Sequence, residues 1–256
     1  KLDPEYWPSY ELRREGYDGE ILLFGADESP PVDRPNLSKD YLAGNAPEEW
    51  VPLRGETFYA EQRIDLRLDT GVAGIDARSR TVSLNDGSTV AFDRLLLATG
   101  AEAIRLPLPG MDLPHVHTLR TLADCRAIIA QAAASKHAVV MGASFIGLEV
   151  AASLRTRGID VHVVAPEKQP MARVLGPAMG DFVRKLHEEH GVVFHLEDTA
   201  VAIDAAKVTL KSGGTVAADL VVAGVGVRPR LALAEKAGLA IDRGVSVDEY
   251  LETSAP

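Results

Sequence analysis

The 256-residue chain has a single cysteine, Cys125, which excludes an internal disulfide and any C-x-x-C or C-x4-C redox pair. Aromatic residues make up only 5% of it. No apolar run approaches the ~20 residues that a bilayer-spanning helix needs, and the opening KLDPEYWPSY is neither an apolar signal core nor an Arg-rich presequence. Basic blocks are missing too: 27 Lys and Arg stand against 37 Asp and Glu, a formal net charge of −10. A phosphate backbone is repelled by that balance, so nucleic acid is a poor partner, and no membrane is expected. What is present, 46% hydrophobic and 25% charged residues, fits a soluble globular protein of two domains in a reducing, cytoplasmic compartment. Cys125 reads as a small buried residue on a helix and not as a nucleophile.

Along the chain, residues 12–17 read as a helix tail closed by Gly16 or Gly19, followed by a buried strand in EILLFGAD. A helix tail feeding a strand suggests that the chain begins inside a βαβ unit, for KLDPEYWPS makes a poor strand. SPPVDRPNLSKDYLAG is a shaped, Pro-rich loop leading into a helix-like stretch. Short β signals then run from Gly71 to Gly100: a hairpin turn at Asn85-Asp86-Gly87, and RLLLATG as an apolar strand. Pro107, Pro109 and Gly110 mark a domain crossing. Residues 121–134 form a helix with Thr121 and Asp124 as an N-terminal capping pair. Two later stretches repeat one scheme. TVSLNDGSTVAFDRLLLATG and KVTLKSGGTVAADLVVAGVG share strand, glycine turn, strand, apolar strand and glycine in the same order, which suggests two halves of one plan.

The chemistry-bearing stretch is VVMGASFIGLEVAASLRTRGIDVHVVAPE, residues 139–167. It reads as strand, glycine turn, helix, strand and acid, the frame of a dinucleotide site. Gly142 permits the tight turn, and Gly147 lets helix and strand pack closely. Ser144 stands where the pattern has its middle glycine; it costs some backbone approach but offers a hydroxyl. The helix N-terminus supplies free N–H groups and a positive dipole end for a pyrophosphate. Glu167 is the candidate acceptor from the adenosine ribose 2′-OH, which favours NAD. Lys168 and Arg173 nearby would suit a 2′-phosphate or simply balance Glu167, so NADP stays open. Glu149 is either an acid well placed on the helix dipole or a group near the nicotinamide amide.

With PPVDRPNLSK, LLLATG, GASFIGLEVAASL and GVGVRP in this order, the chain resembles the flavin-dependent pyridine-nucleotide oxidoreductases. Within them it is most similar to the ferredoxin reductase and apoptosis-inducing-factor-like branch, Rieske-associated relatives included. The resemblance implies an α/β fold of two Rossmann-like, three-layer domains: a partial FAD-binding domain at 1–110, an NAD(P)-binding domain at 111–230, and a return segment to the FAD domain at 231–256. It implies an FAD-dependent enzyme that takes hydride from NAD(P)H and passes electrons to an iron–sulfur protein of ferredoxin or Rieske type, as a possible homodimer. An NAD(H)-responsive binding module and an inactive fragment are the alternatives. Carried over by motif, Asp27, Arg34, Lys39, Val72, Thr99, Gly100 and Arg105 fall on the FAD side. Gly142, Ser144, Phe145, Ile146, Gly147, Glu149, Glu167, Arg173 and Gly226 fall on the NAD side, with Lys39 and Glu149 closest to the chemistry. The family's first G-x-G-x-x-G and its C-terminal GD strand have no counterpart here, so the chain reads as truncated at both ends. No metal is expected.

Overall fold

A computed structural model describes residues 8–55 and 57–255; of KLDPEYWPS, read as a poor strand, the first seven residues lie outside them, and Pro8 and Ser9 are helical. The chain folds as two compact units, each assembled from separate stretches. One comprises residues 1–32, 52–101 and 229–256; the other comprises 33–51 and 102–228. The chain passes from one to the other after residues 32, 51, 101 and 228, and two short strands, β6 (Ala101–Ala103) and β15 (Val227–Pro229), span the last two of these points.

In the first unit α1 (Pro8–Arg14) ends at Gly16, whose φ of +87° is a left-handed conformation that halts a helix. Strand β1 (Ile21–Phe24) follows and pairs in parallel with β2 (Ile64–Arg67), Ile21 opposite Ile64. Sequence reading missed β2, four residues of alternating Ile and Leu between charges. Helices α3 (Phe58–Glu61) and α8 (Ala232–Lys236) complete the helical part. Strands β3 (Val72–Asp76), β4 (Thr81–Leu84) and β5 (Thr89–Ala91) form an antiparallel meander whose register shifts between Val72 and Gly74. The expected strand RLLLATG is not one: residues 94–100 have no ladder partner among the described residues, and Leu96 is 60% exposed. A strand exists only where a neighbour accepts its hydrogen bonds, and no local composition supplies that neighbour.

The second unit is built on a five-stranded sheet, order β10-β9-β8-β14-β7, every pairing parallel. Its strands are β7 (Val116–Thr118), β8 (His137–Met141), β9 (Asp160–Ala165), β10 (Val192–Leu196) and β14 (Leu220–Ala223). Continuous apolar runs such as AVVM and LVVA are what a parallel sheet covered on both faces requires. One face receives α4 (Leu122–Ala132), α5 (Phe145–Thr156) and α7 (Pro177–Glu189); short helices α2 (Asp40–Ala43) and α6 (Ala172–Leu175) complete the set. The other face is covered by the meander β11 (Ala200–Ile203), β12 (Lys207–Leu210), β13 (Thr215–Ala217). There Ile203, Val208, Leu210 and Val216 pack with Val139, Met141, Val164 and Val221. This meander repeats that of the first unit, down to the register shift near its start, between Ala200 and Ala202. The chain runs outward from β8 through β9 to β10, then returns to the far side of β8 as β14. The switch in direction between β8 and β14 gives this unit a Rossmann-like order, with its crevice at the carboxyl ends of those two strands.

Candidate functional site

The carboxyl ends of β8 and β14 meet in three glycines. Gly142 turns the chain off β8 at a φ of +109°, and a Cβ there would come within 2.5 Å of the Gly224 carbonyl oxygen. A Cβ on Gly147 would be driven into the Gly142 carbonyl oxygen, which lets α5 lie directly against its own strand. A Cβ on Gly224 would sit 3.0 Å from the Gly147 backbone. Gly224, which sequence reading did not single out, packs on the Gly147 backbone, while Gly226, expected to bring backbone close to the nicotinamide, has a φ of +110° and a Cβ there would lie 3.6 Å from the Ile104 side chain. Spacing alone does not reveal which glycine abuts another element.

This packing leaves the start of α5 open. Ser144 is the N-cap, exposed, and its side chain makes no capping bond. Phe145 is exposed and Ile146 half-buried. Among the described residues the backbone N–H groups of Phe145, Ile146 and Gly147 have no acceptor, while Leu148 N–H donates to the Ser144 carbonyl. Three free donors and a positive dipole end therefore face the crevice.

Beyond β9 the chain continues from buried Ala165 to half-buried Glu167. Its path is fixed by the exit of β10: Glu197 N–H donates to the Glu167 carbonyl, and Asp198 N–H to that of Ala165, both at 3.2 Å. Lys168 and Arg173 are exposed, Arg173 on α6 after Met171 has taken a left-handed φ of +59°. A cavity of about 390 Å³ opens past the end of β10, bordered by Lys168, Arg184, His195 and Asp198; no residue of the Gly142–Gly147 turn lines it.

The RPNLSK segment belongs to this same unit and is fastened along one side of α5. Arg34–Ser38 forms a 3-10 helix opened by Pro35, its fixed φ being suited to a first helical turn. Glu149, Ser153 and Arg157 recur every four residues and so share a helix face. Glu149 takes the Ser38 hydroxyl on Oε2 at 2.6 Å and the Lys39 ammonium on Oε1 at 2.7 Å. The Ser153 hydroxyl donates to the Ser38 carbonyl at 2.7 Å, and Arg157 Nε to the Leu42 carbonyl. On the other side, the Cys125 thiol donates to the Leu37 carbonyl at 3.1 Å, and Arg34 Nη1 to that of Arg120 at 2.9 Å. Tyr41 donates to the Glu48 carboxylate, which Arg126 also holds at 2.6 Å. Burial, then that bond to Glu48, pushes the Tyr41 hydroxyl up to about 12, while Arg126 and Tyr41 hold Glu48 below the usual carboxylate range.

The structure thus brings together Lys39 and Glu149, 110 positions apart, with Arg34 on the same segment. Glu149 turns out to be engaged by side chains and is not merely an acid on a dipole. Ser38, Ser153 and Arg157 were missed, although the i, i+4 spacing of Glu149, Ser153 and Arg157 on a largely apolar helix was a readable signal. Of the remaining candidates, Arg105 is exposed and donates to the Met111 carbonyl at 3.3 Å. Asp27, Val72, Thr99 and Gly100 lie in the first unit. There Asp27 follows β1, half-buried, and Val72 opens β3 opposite Leu84. The Thr99 hydroxyl donates to the Arg230 carbonyl at 2.8 Å, and Arg230 N–H returns to the Gly100 carbonyl at 3.0 Å. Among the described residues no three His, Cys, Asp or Glu side chains converge as metal ligands, and no helix is long and apolar enough to cross a membrane.

Comparison with known proteins places this geometry in context. The family model described as pyridine nucleotide-disulphide oxidoreductase matches residues 6–256. Rhodocoxin reductase of Rhodococcus erythropolis is 42% identical, over 94% of this chain and 58% of its own length. The ferredoxin–NAD(+) reductase component of the anthranilate 1,2-dioxygenase system of Burkholderia cepacia is 38% identical, over 95% of this chain and 61% of its own. The crystal structure of a covalent putidaredoxin reductase–putidaredoxin complex superimposes with a TM-score of 0.93 at 35% identity, covering 97% of this chain and 62% of that one. The chain therefore spans about three fifths of the length of these relatives.

Proposed function

Since the chain belongs to the pyridine nucleotide-disulphide oxidoreductase family, we propose that it is the nucleotide-handling part of an FAD-dependent reductase. That reductase would take hydride from NADH and pass electrons singly to a small iron–sulfur protein. Relatives named for rhodocoxin and ferredoxin, and the solved complex with putidaredoxin, support that acceptor class. The single cysteine removes any dithiol relay, so electrons have no side-chain carrier of that kind here. FAD supplies the step that no side chain can, accepting two electrons at once and releasing them one at a time.

The observation that carries the reading is the open start of α5, where Phe145, Ile146 and Gly147 offer N–H groups at a sheet switch point. These groups would hold the NADH pyrophosphate, with the Ser144 hydroxyl beside them. Glu167 would accept from the adenosine ribose, and Arg173 would lie at the same end. Gly142, Gly224 and Gly226 would keep backbone low enough for the nucleotide to pass. On the flavin side, Lys39 would hold positive charge where reduced flavin develops negative charge, kept in place by Glu149. Arg34, Arg105, Asp27, Val72, Thr99 and Gly100 would hold the remainder of FAD. We further propose a two-domain division, with FAD bound mainly by the first unit and NADH by the second.

The test is spectroscopic. The purified 256-residue chain is mixed with FAD, desalted, and titrated with NADH under anaerobic conditions. Retained flavin bands that bleach on NADH addition are expected. A protein that binds NADH yet emerges colourless would overturn the reductase reading for this chain.

A further inference from the structure

Ser38 has no role in the dinucleotide pattern, yet it is only 5% exposed and meets α5 twice. Its hydroxyl donates to Glu149 Oε2 at 2.6 Å, and its carbonyl accepts from Ser153 at 2.7 Å. Glu149 and Ser153 stand one helical turn apart, so both anchor points belong to one face of α5. Glu149 thereby divides its two oxygens: Oε2 goes to Ser38, Oε1 to the Lys39 ammonium at 2.7 Å. The Lys39 side chain is 48% exposed. An ion pair that open to water contributes little unless something else fixes its geometry, because holding two flexible side chains costs entropy. The buried hydroxyl supplies that fixation, since a hydrogen bond to a charged acceptor is stronger and more directional than the exposed pair itself.

We infer that Ser38 is a positioning residue: its hydroxyl orients Glu149 so that the carboxylate pins the Lys39 ammonium at one place. This rests on the preceding reading only for the purpose served, namely a cation held at a fixed point beside a flavin. The neighbouring sequence fits such a device. Pro35 stiffens the turn that carries Ser38, Leu37 beside it is buried, and the Cys125 thiol ties the Leu37 carbonyl to α4. Ser38 is thus held from both sides before it meets Glu149.

The test follows the reactivity of Lys39 in the 256-residue chain without flavin. Trace acetylation by acetic anhydride is quantified on the Lys39 peptide by mass spectrometry, for the wild type, S38A, E149Q and the double variant, with thermal melts alongside. Release of the pair should speed acetylation about two- to fivefold in S38A, the range that an exposed ion pair allows. E149Q should do at least as much, and S38A should add nothing in the E149Q background, because the hydroxyl acts through the carboxylate. A wild-type rate in S38A, or the same increment with and without Glu149, would overturn the inference. Should S38A melt below the assay temperature, S38T carries the test. It keeps the hydroxyl, so its Lys39 rate must stay at the wild-type value, and a faster rate in folded S38T overturns the proposal. The readout needs no cofactor, so a failure of FAD uptake would count against the reductase reading and leave this inference standing.

Discussion

His162 Nδ1 and His195 Nε2 meet at 2.8 Å between adjacent strands β9 and β10, with their ring planes 14° apart. A neutral pair shares one hydrogen bond; a doubly protonated pair turns two donors against each other. Burial, and then the His195 charge, lowers the His162 proton affinity, with His137 of β8 adding to the effect and Asp160 of β9 opposing it. Burial lowers His117 and His187 as well. Their folded values lie below the unfolded imidazole value of about 6.5, so the unfolded chain binds more protons. The stability they contribute is complete above that value and is lost as pH falls through it. Melting temperature should therefore drop between pH 7 and pH 5, and H162Q should flatten the slope. A wild-type melting temperature that holds or rises over this interval would refute the account.

Gly147→Ala should be among the costliest single-methyl changes available. The new Cβ points into the Gly142 carbonyl oxygen, a backbone atom with no rotamer to move aside. Overpacking of this kind costs about 1–3 kcal/mol, and α5 must lift from β8 to relieve it. The Phe145–Gly147 N–H groups move with the helix, so NADH affinity should fall together with melting temperature. Equilibrium denaturation and NADH fluorescence titration read the two effects separately. A stable G147A variant with unchanged NADH affinity would show that the close packing of helix on strand is not required.

The sequence made visible whatever depends on neighbours along the chain. The Thr121 and Asp124 capping box is present with both reciprocal bonds, because three residues fix that geometry. The turn at Gly142 and the two meanders followed from the same local logic. Contacts far apart in the chain stayed hidden. Nothing in LSK announces that Ser38 meets Glu149, since 111 positions separate them and only the docking of the 33–51 segment on α5 brings them together. RLLLATG failed as a strand for the complementary reason. LVVA of similar composition is a strand because β7 and β8 flank it, whereas residues 94–100 have no ladder partner among the described residues.

Cys125 should be silent to thiol reagents in the folded chain. It is fully buried on α4, its thiol donates to the Leu37 carbonyl, and burial pushes its pKa up to about 12. Reaction requires a thiolate and access, and it has neither. A disulfide reagent such as DTNB should report no thiol in native buffer and one in denaturant. Rapid reaction in native buffer would mean that the 33–51 segment opens from α4.

Glu167 gives the most direct test of nucleotide choice. The residue lies two positions beyond the end of β9, where we propose that it meets the adenosine ribose, and its carbonyl accepts from Glu197 N–H. A carboxylate there accepts from a 2′-hydroxyl but repels a 2′-phosphate, while Lys168 and Arg173 close by attract one. Glu167→Gln keeps the size and removes the charge. NADH affinity should fall about threefold to tenfold, roughly 1 kcal/mol, because the amide oxygen still accepts a hydrogen bond and only the contribution of the charge is lost. NADPH affinity should rise at the same time, because the two cations no longer compete with a neighbouring anion. Fluorescence titration with both nucleotides reads the ratio directly and requires no turnover. If the ratio stays at its wild-type value, Glu167 faces away from the ribose, and discrimination belongs to another residue at the end of β9.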